Sequence, residues 1–214
     1  MLAMIPAKTL ADEEVTQGNA DQLLRVTTLT LESDGSGLYH NELDIYAAAA
    51  ETFGITWNMR SGWSDLVVTG VDNYYVVGND VPITINLADG ETRHWTIEYR
   101  AVFATKTPSC WAVSLSPAKT PSPPFYYGEF RVIVKLPPGA SVISVSPSPT
   151  DTWVEGGRPC YKFVVYNTNQ LPFEINYSTP ECAVPEFGLS TALVTSLALM
   201  LYLPIRKRFG KAKP

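Results

Sequence analysis

Apolar and polar positions alternate along much of the chain with the period of two that is typical of β-strands with one buried face. The clearest examples are residues 95–103 and 130–136, in which every second side chain is apolar. Residues 161–165 repeat the pattern, and a polar run at 167–170 separates them from residues 171–177. This spacing predicts that the last two strands form a hairpin.

Six shorter runs have the same character, and turn residues such as Asp34-Gly35-Ser36-Gly37 separate several of them. The runs cover residues 23–32, 66–69, 74–77, 83–87, 110–115 and 142–145. Many short strands at this spacing predict a mainly β chain folded as an antiparallel, immunoglobulin-like (Ig-like) β-sandwich. Residues 117–124 are proline-rich and cannot lie inside a sheet, because proline lacks the amide hydrogen. They are either a linker between two small sandwiches or a long loop within one.

One segment departs from the strand pattern. Residues 42–53 place apolar side chains near helical spacing, with Asn41 as an N-cap and Gly54 as a stop. This spacing favours a helix over residues 42–53, with another strand as the alternative.

The C-terminal region has the pattern of a membrane anchor. Residues 187–205 carry no charge and include six leucines, and a helix of that length reaches about 28 Å, close to the thickness of a bilayer core. Arg206, Lys207 and Arg208 follow directly, and basic residues stay on the cytoplasmic side. The sequence therefore predicts a single-pass protein of the cell membrane, with its C-terminus in the cytoplasm and everything before Phe187 outside.

A four-residue motif, Pro185-Glu186-Phe187-Gly188, precedes this apolar span. Motif, span and basic end in this order resemble the PEF-CTERM or PEFG-CTERM tail of archaeal surface proteins. The resemblance covers about the last 30 residues. It implies a sorting signal that an archaeosortase-type enzyme processes near the motif. A permanent anchor would use the same span and basic end, so retention and cleavage both stay open.

The N-terminus does not carry a complete export signal. Residues 1–7 are apolar but too short for a signal-peptide core, and the basic n-region of a signal peptide is missing before this core. We interpret the region either as the remnant of a leader whose true start lies upstream or as a disordered arm. The predicted organisation runs from this arm (1–20) through two β-rich parts (21–116 and 125–180) around the proline-rich segment, then a stalk with the motif (181–186), the span (187–205) and a basic tail (206–214).

The β-rich region carries a second resemblance. A strand before Asp34-Gly35-Ser36, a strand containing Trp111, the run from Val134 to Pro147 and a final hairpin are similar to the β-rich ectodomains of uncharacterised archaeal membrane proteins. The resemblance implies architecture and location, and no activity.

Three cysteines, Cys110, Cys160 and Cys182, are an odd number for an exported chain. Outside the cell we expect one disulfide bond, and we favour Cys110–Cys160. Pairing of Cys182 with Cys160 and three free thiols are the alternatives.

Candidate catalytic and metal-binding chemistry is sparse. The two histidines, His40 and His94, stand apart from any motif with metal-ligand spacing, and no nucleophile-elbow or phosphate-loop motif occurs. We expect His94 to have a surface or hydrogen-bonded role and Asp34–Gly37 to be a hairpin turn rather than a calcium loop. We therefore predict no cofactor, no metal and no enzymatic activity. The formal charge of −5 also argues against a nucleic-acid partner.

Two further features bear on the exterior of the cell. Asn176-Tyr177-Ser178 is an N-glycosylation sequon on the outer side of the span. Several aromatic residues fall in loops or on both faces of short strands and could contact sugars or proteins: Trp57, Trp63, Tyr74, Tyr75, Tyr126 and Tyr127. Ordinary packing in the core or at a strand edge is the interpretation that we favour for them. The sequence thus predicts a structural or adhesive surface protein whose partners are the lipid bilayer, a processing enzyme and cell-surface proteins or glycans. A ligand- or carbohydrate-binding protein is the alternative, followed by a surface hydrolase.

Overall fold

The computed structural model describes residues 15–17, 20–107, 110–115, 127–165 and 173–182. The chain divides into two compact units, Met1–Pro180 and Glu181–Pro214, and every strand of the described residues belongs to the first. In chain order the strands are β1 (Val15–Gln17), β2 (Asp21–Leu31), β3 (Ser36–Tyr46), β4 (Glu51–Asn58), β5 (Ser64–Thr69), β6 (Asn73–Tyr74), β7 (Asp80–Leu87), β8 (Thr92–Val102), β9 (Ala104–Thr107), β10 (Cys110–Leu115), β11 (Tyr127–Lys135), β12 (Ser141–Ser146), β13 (Asp151–Glu155), β14 (Arg158–Val165) and β15 (Phe173–Ser178). A 3-10 turn at Pro180–Cys182 follows the last strand.

The strands form three sheets, which confirms the mainly β prediction. The largest has seven strands in the order β13-β14-β11-β2-β3-β8-β5. Two four-stranded sheets have the orders β1-β4-β7-β6 and β12-β15-β10-β9. Strand pairs of the described residues are antiparallel except for one, because β11 runs parallel to β2.

The parallel pair joins the two halves of the sequence. β2 precedes the proline-rich segment and β11 follows it, yet Phe130 lies opposite Arg25 and Val134 opposite Leu29 in one ladder. Residues 117–124 therefore do not separate two independent sheets. A parallel pair requires a long crossover, and the chain between β2 and β11 provides it.

The predicted helix over residues 42–53 is wrong, and the segment contributes to two strands. β3 ends at Tyr46 and β4 begins at Glu51. Along β3 alternate residues are buried from Gly37 to Ile45, and the strand pairs with β2 on one side and β8 on the other. The apparent helical spacing came from apolar residues on two successive strands, whose period of two is interrupted by the alanine run between them.

Two other predictions about connectivity are also wrong. β14 and β15 do not form a hairpin: β14 pairs with β11 and β13, whereas β15 pairs with β10 and β12. The rings of Phe163 and Phe173 lie 4.6 Å apart between centroids, so the two strands meet through their side chains and not through backbone pairing. The first 20 residues are not wholly an arm either, since Val15–Gln17 pairs with β4.

The core lies where the inward faces of the sheets meet. Its largest fully buried side chains include Trp57, Trp95, Tyr39 and Tyr99. Trp57 from a four-stranded sheet packs edge-on against Trp95 of the seven-stranded sheet, with ring centroids 5.9 Å apart. Such aromatic pairs add to the stabilisation that burial of their area provides.

A charged residue, Arg25, lies inside this core and is only 2% exposed. Its guanidinium carbon is 4.8 Å from the ring centroids of both Trp57 and Phe130. Its Nε donates to Asn41 Oδ1 at 3.0 Å, and Thr27 Oγ1 donates to the same oxygen at 2.8 Å. Asn41 thus supplies an acceptor that a buried cation requires.

Candidate functional site

The most exposed apolar stretch of the described chain lies in residues 72–77, which we call the edge segment. Four consecutive apolar side chains in it face solvent: Tyr74, Tyr75, Val76 and Val77 are 41%, 57%, 40% and 60% exposed. Isolated exposed apolar residues are ordinary, but a contiguous apolar patch is typical of an interaction surface.

Local sequence explains why the chain runs along the sheet edge at this point. Asn73 and Tyr74 pair with Thr84 and Ile83 of β7, and β6 ends after these two residues. A tight turn then reverses the chain, with Val77 and Asp80 exchanging backbone hydrogen bonds of 2.9 and 3.0 Å. Gly78 takes the first central position of that turn at a φ of 64°, a conformation that glycine adopts without strain.

Backbone bonding of the edge segment is one-sided. The amides of Asp72 and Tyr75 donate to Thr84 O and Pro82 O, both on β7. β6 is the outermost strand in the order β1-β4-β7-β6, so no further strand of the described chain lies on its other side. Such an edge is a template for an added strand.

Trp63 borders the edge segment from the start of β5. Its indole Nε1 donates to Gly78 O at 3.4 Å, and its ring is partly buried against the core. The contact joins the turn at residue 78 to the neighbouring sheet. It places an aromatic residue at the turn that follows the four exposed side chains.

Acidic residues dominate the charge around the edge segment. Residues 61–92 contain five acids and neither lysine nor arginine. Arg93 Nη1 and Nη2 lie 3.3 Å from Asp72 and 2.6 Å from Glu91, so one cation serves two carboxylates. Hydrogen bonds from the Ala88 amide and then from Arg93 lower the pKa of Glu91.

Asp80 adds a further negative charge at the turn. Its Oδ1 accepts a hydrogen bond of 2.6 Å from Asn58 Nδ2, a neutral donor. That donor carries no positive charge, so it does not neutralise the negative charge of the Asp80 carboxylate. Among Asp72, Asp80, Glu91 and Arg93, three acidic groups are balanced by only one basic group, so this set carries a net negative charge.

The histidines occupy the outer face of the seven-stranded sheet, as the sequence predicted for His94. His94 Nδ1 lies 2.7 Å from Asp44, and its side chain is 56% exposed. His40 lies between two carboxylates, with Nδ1 3.0 Å from Glu98 and Nε2 2.9 Å from Glu42. Because opposite ring nitrogens contact the two carboxylates, the three side chains do not converge on one point. Within the described residues, no group of three or more His, Cys, Asp or Glu side chains could hold a metal ion.

The predicted hairpin turn at Asp34–Gly37 is confirmed. Asp34 Oδ1 accepts from Ser36 Oγ at 2.6 Å and from the Ser36 amide at 2.9 Å. These bonds, the side-chain one first, lower the pKa of Asp34. The carboxylate thus closes the turn between β2 and β3.

The predicted Cys110–Cys160 disulfide is wrong. Cys160 is a free, fully buried thiol, whereas Cys110 and Cys182 are disulfide-bonded. Cys160 lies on β14 opposite Lys135 and Trp153, and Cys110 belongs to a different sheet. Sequence separation alone could not distinguish these sheets.

Burial predicts the reactivity of Cys160. Desolvation raises the pKa of its thiol, and Sγ donates to Arg158 O at 3.3 Å. We expect a thiol reagent to modify no cysteine in the native, unreduced protein and one cysteine after denaturation, as measured by intact mass. Rapid modification in native buffer would contradict this placement.

The remaining predicted site residues divide into two groups. Asn176 lies in β15 between β10 and β12, and its Nδ2 donates to Ser144 Oγ at 2.9 Å, so glycosylation there stays a prediction. The sorting motif Pro185–Gly188 and the basic residues Arg206, Lys207 and Arg208 lie outside the described residues, as does the span 187–205. In the part of the chain that is described, no helix is long and apolar enough to cross a membrane.

The aromatic residues singled out from the sequence differ in exposure. Trp57 is fully buried, which agrees with core packing and leaves it no exposed contact surface. Tyr74 and Tyr75 are both exposed. Tyr126 and the side chain of Tyr127 lie outside the described set. Sequence reasoning did not single out Val76 and Val77, which complete the edge segment.

The fold is similar to that of solved bacterial structures. A candidate nutrient-binding protein from Legionella pneumophila matches with a TM-score of 0.61 and 10% identity, over 81% of this chain and 72% of that chain. A substituted form of an M1 zinc metallopeptidase from Deinococcus radiodurans matches with a TM-score of 0.51 and 18% identity, over 75% of this chain and 43% of that one.

The chain thus spans less than half the length of that metallopeptidase. At these identities the likeness concerns the fold alone. The sequence matches no family model and no curated protein.

Proposed function

We propose that this chain is a cell-surface protein whose β-sandwich is displayed outside the membrane and acts by contact with other molecules, without catalysis. The observation that carries the contact role is the edge segment, where four consecutive apolar side chains face solvent, the first of them on the outermost strand β6. A chain with no need of contact gains nothing from this exposure, since it invites association.

The proposal includes an Ig-like sandwich as the architecture of the displayed part. Contacts between the sheets support it: Tyr39 of the seven-stranded sheet and Trp57 of a four-stranded sheet have ring centroids 6.1 Å apart. Phe163 and Phe173 make the equivalent contact with the other four-stranded sheet. Alternation of buried and half-buried residues along β3 also supports packing through one face.

The surface location rests on the C-terminal sequence. The uncharged span 187–205 and the basic cluster after it favour a segment that enters the membrane from outside. The motif Pro185–Gly188 supports delivery by an archaeosortase-type enzyme as the route. On this proposal the bilayer and the processing enzyme are the first partners of the chain.

Cell fractionation with external protease tests the location. We expect the protein in the membrane or envelope fraction, digested when protease is added to intact cells. Intact mass then distinguishes a retained tail from one cleaved near Pro185. Recovery in the cytosol, protected from protease until lysis, would contradict the proposal.

Carbohydrate or small-ligand binding is the second candidate. Trp63, which donates to Gly78 O, and the exposed Tyr75 are aromatic side chains of the kind on which sugars stack. The match to a candidate nutrient-binding protein is compatible with this role through fold alone. On this alternative, a glycan array detects binding that Trp63→Ala abolishes and Trp63→Phe retains; binding that survives Trp63→Ala would exclude it.

A further inference from the structure

We infer that the edge segment binds an extended, cationic peptide segment of another protein, which adds as a strand beside β6. The inference rests on the proposed function, in that it names the partner chemistry for the same contact surface. Strand addition obtains affinity from main-chain hydrogen bonds and specificity from side chains on alternate positions.

The backbone of the edge segment is suited to such an addition. Its inward amides, at Asp72 and Tyr75, are satisfied by β7. The amide of Val76 forms no backbone hydrogen bond within the described residues. Among the described strands, β6 is therefore paired on one side and open on the other, which is the arrangement that strand addition needs.

The exposed side chains favour a protein strand as the occupant. Val76 and Val77 are aliphatic and β-branched, and such side chains pack against cross-strand neighbours in a sheet. These two aliphatic side chains, unlike Tyr74 and Tyr75, have no ring on which a sugar could stack. A bound peptide with small β-branched residues at alternate positions would cover both Tyr75 and Val77 with those side chains.

Charge selects the chemical type of the peptide. The edge segment is bounded by Asp72 at its start and by Asp80 across the turn. Arg93 is shared between Asp72 and Glu91, and Asp80 contacts a neutral amide, so the local balance is negative. Lysine or arginine at both ends of an apolar peptide complements this pattern.

The same charges disfavour a second copy of this chain as the occupant. Antiparallel pairing of two edge segments about a two-fold axis would bring Asp72 of one copy toward Asp80 of the other. Like charges in opposed positions of a sheet are destabilising. A heterologous cationic strand avoids this repulsion.

Fluorescence anisotropy with the full-length chain in a mild detergent tests the inference. The probe is a labelled peptide, acetyl-Lys-Thr-Val-Thr-Val-Thr-Lys-amide. We expect saturable binding that weakens as salt rises, because exposed charges are screened. The same peptide with glutamate in place of both lysines, or with alternate backbone amides methylated, should not bind.

Two matched variants locate the binding surface. Val77→Lys places a positive charge in the edge segment and should weaken binding by about tenfold or more, because like charges meet. Val154→Lys makes the same change at the edge strand β13, where Val154 is 71% exposed, and should leave binding unchanged. Circular dichroism and thermal unfolding verify that both variants fold.

Each contrary result overturns the inference. Equal binding of the glutamate or methylated peptide, or equal affinity of Val77→Lys and wild type, removes the strand-addition site. Dimerisation that Val77→Lys abolishes would assign the edge to a second copy, and glycan binding without peptide binding would assign it to a sugar. Failure of peptide binding would refute this inference but not the proposed surface location. A cytosolic location would refute the proposed function but would not affect the peptide-binding result.

Discussion

Replacing Trp57 with alanine is expected to lower the free energy of unfolding by about 4 kcal/mol, the range typical of deleting a large aromatic side chain from a core. Trp57 is fully buried and contacts Trp95, Tyr39 and the Arg25 guanidinium. The substitution therefore leaves a cavity where two sheets meet and also removes a cation–π partner from a buried charge. Urea unfolding, followed by circular dichroism, measures the loss.

Trp153→Ala is the matched control for this prediction. Trp153 lies on the edge strand β13, and its Nε1 donates to an exposed carboxylate, Glu155, at 3.3 Å. We expect a loss of about 1 kcal/mol or less, as for surface substitutions. Trp57→Phe should fall between the two because it keeps part of the volume. Equal losses for Trp57→Ala and Trp153→Ala would contradict the placement of Trp57 in the core.

Asn41→Leu is expected to destabilise the fold by about 3 kcal/mol, although leucine is apolar and close to asparagine in size. Asn41 is fully buried, and its Oδ1 accepts from both Arg25 Nε and Thr27 Oγ1. Leucine has no such acceptor, so the buried guanidinium and the buried hydroxyl both lose their hydrogen bond to residue 41. The cost of desolvating these donors exceeds what the leucine gains by burial.

Thr27→Val distinguishes the contributions of the two hydrogen bonds to stability, because it removes only the bond from the neutral hydroxyl donor. We expect a loss of about 1 kcal/mol, the net value of one neutral hydrogen bond. In the double variant the threonine bond is already absent, so the two losses should not add. A stability of Asn41→Leu equal to that of wild type would show that Arg25 does not depend on this oxygen.

Much of the strand content could be predicted from the sequence, because burial on one face imposes a period of two. β8, β10 and β11 lie where alternation predicted them. β3 was missed because its inward set includes Gly37 and Asn41, which interrupt the apolar alternation, and because the apolar residues of the segment 42–53 fall near helical spacing. This segment forms a strand because it pairs with β2 and β8. Pairing with distant residues is not visible in the local sequence pattern.

Pairing between distant strands was beyond sequence reasoning for the same physical reason. The parallel contact of β2 with β11 and the separation of β14 from β15 are set by how the sheets pack. The disulfide prediction failed with them, since it required knowing which sheet holds Cys110 and which holds Cys160.

The candidate site was partly predictable. At least one of Tyr74 and Tyr75 was expected at the surface, because adjacent residues of a strand cannot both face inward. Trp57 is buried because Phe53, Ile55 and Trp57 form the inward face of β4. Only the structure shows that Val76 and Val77 extend the exposed apolar run beyond the outermost strand β6.

Cysteine labelling on intact cells tests the central claim, that the edge segment is displayed outside the membrane, most directly. Val77→Cys places a thiol at a 60% exposed position, while the native thiol at Cys160 is buried and the other two cysteines are bonded. We expect a membrane-impermeant maleimide to label Val77→Cys on intact cells and to leave the wild type unlabelled. Labelling of Val77→Cys only after the membrane is permeabilised would contradict this claim.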